Sequence, residues 1–114
     1  MKNRLYFLCF LLLFTLSSCN EKITCVITSL TAVDTVFFEN QTIPVTVEAS
    51  TNKGSIIQVQ ILVDDEVIQS FIASPYHYSI PPYTLPIGFH SITAEAYSSG
   101  NNVEIAGRLI KIKK

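Results

Sequence analysis

The sequence predicts an all-β protein, a β-sandwich of about seven short strands. The first observation is that apolar and polar residues alternate with period two in several short segments, as in strands buried on one face. The second is that turn-forming residues recur about every eight to twelve positions between those segments. The third is that no segment keeps a helical period for more than about one turn. Together these features are typical of two packed antiparallel sheets.

Residues 55–78 are predicted to be the stretch around which the chain is organised, and they contain a hairpin at 56–73 that ends at Ser74-Pro75-Tyr76. A run of strand-forming residues at 56–63 is followed by an acidic turn, Asp64-Asp65-Glu66, and by a returning strand at 67–73. In the first of these strands glutamines alternate with valine and isoleucine, so one face is apolar. A hairpin with one apolar face needs a second sheet to cover it, and we expect the remaining strands to supply that sheet.

The other strands are predicted along the rest of the chain. They lie at residues 23–28, 36–38, 43–49, 76–80, 89–97 and 103–112. Pro44 has no N–H to donate to a ladder, so the start of its strand is expected at an edge or a bulge. In the last strand the apolar residues of the first half have the opposite parity to those of the second half, which predicts a bulge near Gly107-Arg108.

Residues 1–18 have the pattern of a secretory signal peptide. A short basic head precedes 12 mostly apolar residues at 5–16, whereas a helix that spans a bilayer needs about 20. The next motif, Leu16-Ser17-Ser18-Cys19, resembles a bacterial lipobox, the recognition sequence of signal peptidase II. The resemblance implies cleavage before Cys19 and diacylation of that cysteine. The alternative is an ordinary signal peptide in which Cys19 is incidental.

The expected organisation is a cleaved signal peptide at 1–18, a lipid-anchored tether at 19–22 and a single domain at 23–114. Without residues 1–18 the chain has six basic and nine acidic residues, a net charge of about −3, which gives no basic patch for nucleic acid. Cys25 is then the one thiol left beside Cys19, so no disulfide is expected within the domain.

Five motifs in this domain resemble bacterial immunoglobulin-like domains of secreted and surface proteins. They are, in order, Val26-Ile27-Thr28-Ser29, Ile43-x-Val45-x-Val47-x-Ala49, Gly54-x-Ile56-x-x-Val59-x-Ile61-x-Val63-Asp64, Ser74-Pro75-Tyr76-x-Tyr78 and Gly88-x-His90-x-Ile92-x-Ala94-x-Ala96. The resemblance implies an immunoglobulin-like β-sandwich. Two positions depart from it: Asp65 stands where a turn glycine is common, and Ser98 stands where the family often has aspartate. The second departure argues against calcium in the loops.

Few residues of the domain could carry chemistry, and they form no catalytic or metal-binding motif, so no cofactor is expected. His90 has the inward parity, and the resemblance places a histidine there, so we expect a structural, hydrogen-bonded role. His77 has the outward parity and is expected to be exposed. Cys25 shares the parity of Ile27 and is expected to be a buried, unreactive thiol. The acidic turn at 64–66 is expected to be solvated rather than calcium-binding.

Exposed aromatic residues and one short acceptor motif are further candidates for function. Tyr83, Phe89 and Tyr97 could form a platform for sugar rings or be scattered singly, and the absence of tryptophan argues mildly against a carbohydrate site. Asp34-Thr35-Val36 is similar to the acceptor used by general O-glycosylation of exported Bacteroidota proteins, which makes Thr35 a glycosylation candidate. The alternative is that Thr35 is an ordinary edge-strand residue.

The function predicted from these features is a non-catalytic cell-envelope lipoprotein that acts as a binding, adhesion or assembly module. Lipid on Cys19 would attach it to a membrane, with the outer membrane or cell surface favoured over the inner membrane, and its partner would be a protein or a glycan. Two alternatives stay open. One is a carbohydrate-binding accessory lipoprotein, and the other is an enzyme inhibitor that docks through the proline-containing loop at 83–88.

Overall fold

The computed structural model of the protein describes residues 21–30 and 35–114. The predicted signal peptide, Cys19 and Asp34 lie outside these residues. Eight strands are present in the described part of the chain: β1 (Ile23–Ile27), β2 (Thr35–Phe38), β3 (Ile43–Thr51), β4 (Ile56–Val63), β5 (Glu66–Phe71), β6 (Tyr76–Ile80), β7 (Gly88–Ser98) and β8 (Val103–Lys113). Each corresponds to a strand predicted from the sequence, with ends that differ by one or two residues.

The strands form two sheets that pack face to face. One sheet has three antiparallel strands in the order β1-β3-β6, and the other has five strands in the order β2-β8-β7-β4-β5. In the larger sheet β2 runs parallel to β8 and the other pairs are antiparallel. The hairpin β4–β5 therefore lies at one edge of the larger sheet. This architecture confirms the predicted immunoglobulin-like β-sandwich.

The core lies between the sheets and is formed by the side chains that point inward from every second position of the strands. Its side chains with essentially no exposed surface come from both sheets: Ile27, Val45, Val59, Ile61, Ile92, Ala94, Ala96, Ile110 and Ile112. On the opposite parity Glu48 is exposed and Gln60 is half-buried on the outer face. The predicted register of the central strands is therefore confirmed.

The predicted bulge at Gly107-Arg108 is wrong. The ladder between β7 and β8 runs without interruption from the pair Gly88–Ile112 to the pair Tyr97–Val103. The apolar residues in the first half of β8 do not turn inward, because they lie on the outer face, where Val103 and Ile105 are exposed. Irregularities occur in β4 instead, between Ile56 and Gln58 and between Ile61 and Leu62.

Arg108 occupies an inward position of β8 although it is charged. It is half-buried, and its guanidinium group donates to the backbone oxygens of Ile27 and Leu30 at 3.4 and 3.3 Å. A guanidinium group can be placed at the edge of a core when its donors are used in this way. Arg108 therefore ties the end of β1 to the larger sheet.

Pro44 lies at an unpaired edge, as its missing N–H predicts. The pairing of β1 with β3 ends at Ile27–Val47, so β1 does not extend alongside Pro44. Beyond that point the Ser29 hydroxyl replaces a strand: it accepts from the Thr46 N–H and donates to the Pro44 oxygen, each at 2.8 Å. The side of β3 that faces β6 stays paired through Pro44.

The register predicts very different costs for two neighbouring substitutions in β4. Ile61→Ala should lower the free energy of unfolding by about 2–5 kcal/mol, because Ile61 is fully buried between the sheets. Gln60→Ala should change it by about 0.5 kcal/mol or less, because Gln60 lies on the outer face with one long hydrogen bond to Ser70. Urea unfolding of the soluble domain, residues 21–114, measures both, and comparable losses would contradict the register.

Candidate functional site

A group of apolar and basic side chains lies together on the outer face of the five-stranded sheet. It consists of Val36, Phe89, Leu109, Lys111 and Lys113, which line a shallow groove of about 250 Å³, and we call it the Phe89 patch. Three of these side chains are large and apolar and yet exposed: Val36 by 44%, Phe89 by 62% and Leu109 by 51%. A contiguous apolar patch of this kind on a protein surface often marks an interaction site.

The register of three adjacent strands brings the patch together. Val36 in β2 pairs with Lys111 in β8, and Lys111 pairs in turn with Phe89 in β7, so these residues form one row across the sheet. Leu109 precedes Lys111 by two positions in β8 and therefore lies on the same face in the next row. Side chains opposite one another in adjacent strands are about 5 Å apart at Cβ, close enough to make one surface.

The charge of the patch is positive. The Lys111 ammonium nitrogen lies 5.2 Å from the centroid of the Phe89 ring, a cation–π contact. Lys113 and Lys114 follow it in the sequence. Among the described residues the one ion pair is that between His90 and Asp64, so no described carboxylate forms an ion pair with these lysines.

The outer edge of β2, beside the patch, is blocked by a glutamine at its last residue, Phe38. The Gln41 side-chain oxygen accepts from the Phe38 N–H at 2.7 Å, and the Gln41 N–H donates to the Phe38 oxygen at 3.0 Å. These bonds satisfy the backbone groups that an added strand would need at Phe38. A partner of the patch is therefore expected to contact side chains on the face of the sheet.

The exposed aromatic residues do not gather into one platform on β7. Phe89 and Tyr97 both lie on the outer face of this strand, but they are eight positions apart, which corresponds to about 27 Å along an extended strand. Tyr97 is half-buried, and its hydroxyl donates to Glu95 at 3.1 Å. Tyr83 is exposed in the loop before β7, with a left-handed φ of 62°. The separation of Phe89 and Tyr97 favours the interpretation of scattered surface aromatics for this pair.

His90 is held by two acceptors at the end of the sandwich. Its Nδ1 lies 2.6 Å from the Asp64 Oδ2 and its Nε2 lies 2.7 Å from the Pro86 oxygen. The other carboxylate oxygen of Asp64 accepts from the Ser91 N–H at 3.0 Å. Because both ring nitrogens face acceptors, both bonds form only when the imidazole is protonated. The predicted structural role of His90 is confirmed.

The three residues of the acidic turn at 64–66 are exposed, as predicted, but Asp64 also makes a structural contact that the prediction did not include. Asp64 and Asp65 both have left-handed φ, 50 and 68°, in a two-residue turn that joins the paired residues Val63 and Glu66. A turn of this kind matches the twist of a hairpin and usually contains glycine, although aspartate tolerates the conformation. The turn directs the Asp64 carboxylate back to β7, where it binds His90 although about half of the Asp64 side chain stays exposed.

The pKa values of the pair move in opposite directions. Burial lowers the pKa of His90, but the hydrogen bonds to Asp64 and Pro86 and the charge of Asp64 outweigh it, so the net shift is upward. The pKa of Asp64 is lowered, mainly by its hydrogen bond with His90 and against the effect of burial. Both shifts favour the charged forms of the two groups in the folded protein.

The Cys25 thiol is buried, as its parity with Ile27 predicts. Its Sγ lies 3.7 Å from the Ala94 oxygen across the sheet interface. Burial raises the pKa of the thiol, and the charge of Glu104 raises it further. Because the thiolate is the nucleophilic form, Cys25 is poorly suited to covalent chemistry.

His77 is exposed on the outer face of β6, also as its parity predicts. Its Nδ1 lies 2.8 Å from the Thr46 hydroxyl and its Nε2 lies 3.3 Å from the Ser79 hydroxyl.

In residues 21–30 and 35–114 no group of three or more histidine, cysteine, aspartate or glutamate side chains is arranged to hold a metal ion. In the same residues no helix is long and apolar enough to cross a membrane.

Thr35 is the first residue of β2 rather than part of a loop. It pairs with Ile110 and is half-buried, on the same parity as Phe37, which packs against the core. The position accords with the edge-strand alternative, and glycosylation of Thr35 stays a prediction.

In the loop at 83–88, Leu85 is half-buried against the core, whereas Tyr83 and Ile87 are exposed.

The sequence reasoning missed a polar contact at the start of the domain. The Glu21 carboxylate accepts from the Ser98 hydroxyl at 2.9 Å, from the Asn102 side-chain amide and, more weakly, from the Thr51 hydroxyl at 3.4 Å. We call this contact the Glu21 clasp. Residues 21 and 22 are therefore part of the folded domain, although they were predicted to belong to the tether. The partners lie 30 to 81 residues away in the sequence, so no local pattern marks them.

The fold and the core pattern define a class, the immunoglobulin-like sandwich domains. The model of one family, the bacterial Ig domain, matches residues 24–94, more than half of the sequence. The chain belongs to this family. All five sequence motifs that resemble this family begin inside the matched range. The last of them, at residues 88–96, extends two residues beyond it.

Solved structures extend the comparison. Fibronectin(III)-like modules of Clostridium thermocellum CbhA superpose with a TM-score of 0.68 at 30% identity, over 81% of this chain and 47% of that one. This chain thus spans about half of the length of those modules. A Jonesia denitrificans lytic polysaccharide monooxygenase superposes with a TM-score of 0.51 at 15% identity, over 78% of this chain and 77% of that one, which is a likeness of fold alone. A comparison with curated proteins finds no match.

The His90–Asp64 pair predicts a pH-dependent stability. Because the pKa of His90 is raised, its contribution is fully present below about 6.5 and is lost as the pH rises through the pKa of the folded state. Because the pKa of Asp64 is lowered, its contribution is present above about 3.8 and is lost as the pH falls through its lower folded value. The Asp64 side chain is 52% exposed, so we expect an alkaline loss of about 1 kcal/mol or less.

Urea unfolding of residues 21–114 over a range of pH measures this contribution. His90→Gln should flatten the decrease of stability above about pH 6.5, and Asp64→Asn should also reduce it. His77→Gln is the matched control, because His77 is exposed and hydrogen-bonds only to neutral hydroxyls in the described structure. An unchanged pH profile in His90→Gln would contradict the interpretation.

Proposed function

We propose that this protein is a non-catalytic lipoprotein of the bacterial cell envelope whose single Ig-like domain binds a protein partner through the Phe89 patch. The observation that carries the binding role is the patch itself, in which exposed apolar side chains lie beside lysines on one sheet face. Membership of the bacterial Ig domain family supports a modular, surface or secreted role. The lipobox at Leu16-Ser17-Ser18-Cys19 supports the anchor.

The chemistry of the patch favours an acidic protein segment that carries an apolar side chain. Lys111 and Lys113 provide positive charge that no described carboxylate neutralises through an ion pair, and Val36, Phe89 and Leu109 provide apolar area. Opposite charges on the partner would steer association, and burial of the apolar residues would supply affinity. Because Gln41 closes the neighbouring edge at Phe38, contact through side chains is favoured over strand addition.

A non-catalytic role is supported by how the titratable groups are used. The His90 ring is engaged by Asp64 and Pro86, and the raised pKa of Cys25 keeps its thiol protonated. Ig-like and fibronectin(III)-like folds are typically non-catalytic. The likeness to a polysaccharide monooxygenase is one of fold and carries no activity to this chain. The separation of Phe89 and Tyr97 disfavours the carbohydrate-binding alternative.

Lipid attachment is tested by Cys19→Ala in the native host. Two acyl chains, each contributing about 0.8 kcal/mol per buried CH₂, anchor a protein durably, so wild-type protein should sediment with membranes and the variant should not. Intact mass should show the loss of lipid as well. A variant that stays membrane-bound and equally heavy would contradict the lipoprotein assignment. The same spectra, compared with those of Thr35→Ala, report whether Thr35 carries a glycan.

The binding role is tested by photo-crosslinking in the same cells. Replacement of Phe89 with benzoylphenylalanine should give a defined crosslinked product, and the same replacement at Gln60, on the outer face of β4, should not. Lys111→Glu combined with Lys113→Glu should reduce the product about tenfold, because the two glutamates would repel an acidic segment of the partner. Mass spectrometry should locate the crosslink in an acidic segment of the partner.

Two results would contradict the proposed partner. One is equal crosslinking at Phe89 and Gln60, which would indicate random contact. The other is a product that survives the double charge reversal, since an acidic segment cannot bind equally well to a reversed surface. A crosslink to glycan rather than protein would instead favour the carbohydrate-binding alternative.

A further inference from the structure

The start of the described chain is attached to one end of the sandwich. Besides the bonds of the Glu21 carboxylate, the Lys22 N–H donates to the Asn52 side-chain oxygen at 2.7 Å, and the Asn52 N–H donates to the Lys22 oxygen at 3.1 Å. The attachment thus uses the turn at 51–54, between β3 and β4, and the turn at 98–102, between β7 and β8. We call these turns the proximal turns.

The turn between β7 and β8 is shaped to receive Glu21. Ser98 is completely buried, and its hydroxyl donates to Glu21 while accepting from the N–H groups of Gly100 and Asn102. A Cβ atom on Gly100 would lie 3.0 Å from one Glu21 carboxylate oxygen and 3.2 Å from the other. Glycine at this position therefore lets the carboxylate approach the turn closely.

Covalent geometry then limits how far the lipid attachment point can lie from this end. Two peptide units separate Cys19 from Glu21, and two residues span at most about 7 Å even when fully extended. A lipid-bearing Cys19 consequently has little slack between the bilayer surface and the Glu21 clasp.

We propose that the Glu21 clasp makes the domain stand end-on, with the proximal turns against the lipid headgroups and the Phe89 patch directed away from the membrane. The orientation rests on the lipid attachment to Cys19 proposed above. The partner of the proximal turns is a phospholipid headgroup surface.

The side chains of the proximal turns suit that partner. Residues 51–54 and 98–102 carry hydroxyl and amide groups and a single charged side chain, Lys53. These groups can donate to phosphate oxygens, and the lysine is attracted to anionic lipid. The nearby Glu21 carboxylate would be repelled by anionic headgroups, but its charge is already stabilised by the hydrogen bonds of the clasp.

The length of β7 places the Phe89 patch far from the bilayer. This strand runs from Gly88 at the distal end to Ser98 at the clasp, so Phe89 lies about 30 Å from Ser98 along the strand. The patch is then out of reach of the headgroups and available to a protein. By fixing the orientation of the domain, the Glu21 clasp sets how far the Phe89 patch stands from the membrane.

Fluorescence quenching measures the orientation on the full-length lipidated protein. In a Cys25→Ala background, a fluorophore is attached at Ser55→Cys, beside a proximal turn, or at Glu66→Cys, beside the turn between β4 and β5 at the other end of the sandwich, and both positions are exposed. The protein is reconstituted into vesicles of phosphatidylethanolamine and phosphatidylglycerol that contain a lipid with a nitroxide on its headgroup. Quenching at position 55 should exceed quenching at position 66 several-fold.

Three further variants isolate the clasp. Glu21→Ala should reduce the difference between the two positions, because it removes the carboxylate that binds both turns. Lys22→Ala is the matched control and should keep the difference, because the bonds that Lys22 makes to Asn52 use its backbone. A flexible glycine–serine insertion between Asn20 and Glu21 keeps the clasp but lengthens the anchor, and it should lower quenching at position 55.

The outcomes separate this inference from the proposed lipoprotein function. Protein that floats with the vesicles but is quenched equally at both positions is anchored without a fixed orientation, which overturns the inference and leaves the lipoprotein assignment intact. Quenching that is stronger at position 66 overturns it as well. Protein that carries no lipid and does not float overturns both proposals together.

Discussion

The structure depends on the burial of the inner faces of the two sheets against each other. At the centre of the larger sheet, Val59 and Ile61 of β4 pair with Ala96 and Ala94 of β7, so large side chains alternate with small ones across the strands. The small alanines let the other sheet approach closely, as shown by Cys25, whose Sγ lies 3.7 Å from the Ala94 oxygen. Close packing of this kind explains why truncation in the interior is costly while the outer faces can vary.

Polar interactions at the two ends of the sandwich hold the connecting segments on this core. At the distal end the His90–Asp64 pair joins the β4–β5 turn to the start of β7 and also binds the Pro86 oxygen in the preceding loop. At the proximal end Glu21 joins the segment that precedes β1 to two turns. Each is a charged group held by several hydrogen bonds near the surface, an arrangement that fixes geometry more than it adds stability.

The outer face of β8 shows how one strand can serve the core and a surface together. Ile110 and Ile112 enter the core, while Leu109 and Lys111 face outward between them and contribute to the Phe89 patch. A strand with apolar residues on both parities has a weak period-two signal. For that reason the sequence indicated a bulge, whereas the unbroken register with β7 leaves Val103 and Ile105 exposed on the outside.

The sequence by itself determined the approximate limits of the strands, the interior parity of β3, β4 and β7, and the burial of Cys25 and His90, because these follow from local alternation. The motifs of the sequence also indicated the family. Only the tertiary structure decided which strands are neighbours, and hence that Val36, Lys111 and Phe89 form one row. It likewise decided the partners of Asp64, Glu21 and Arg108, since hydrogen bonds between residues 26 to 81 positions apart leave no periodic trace in a sequence.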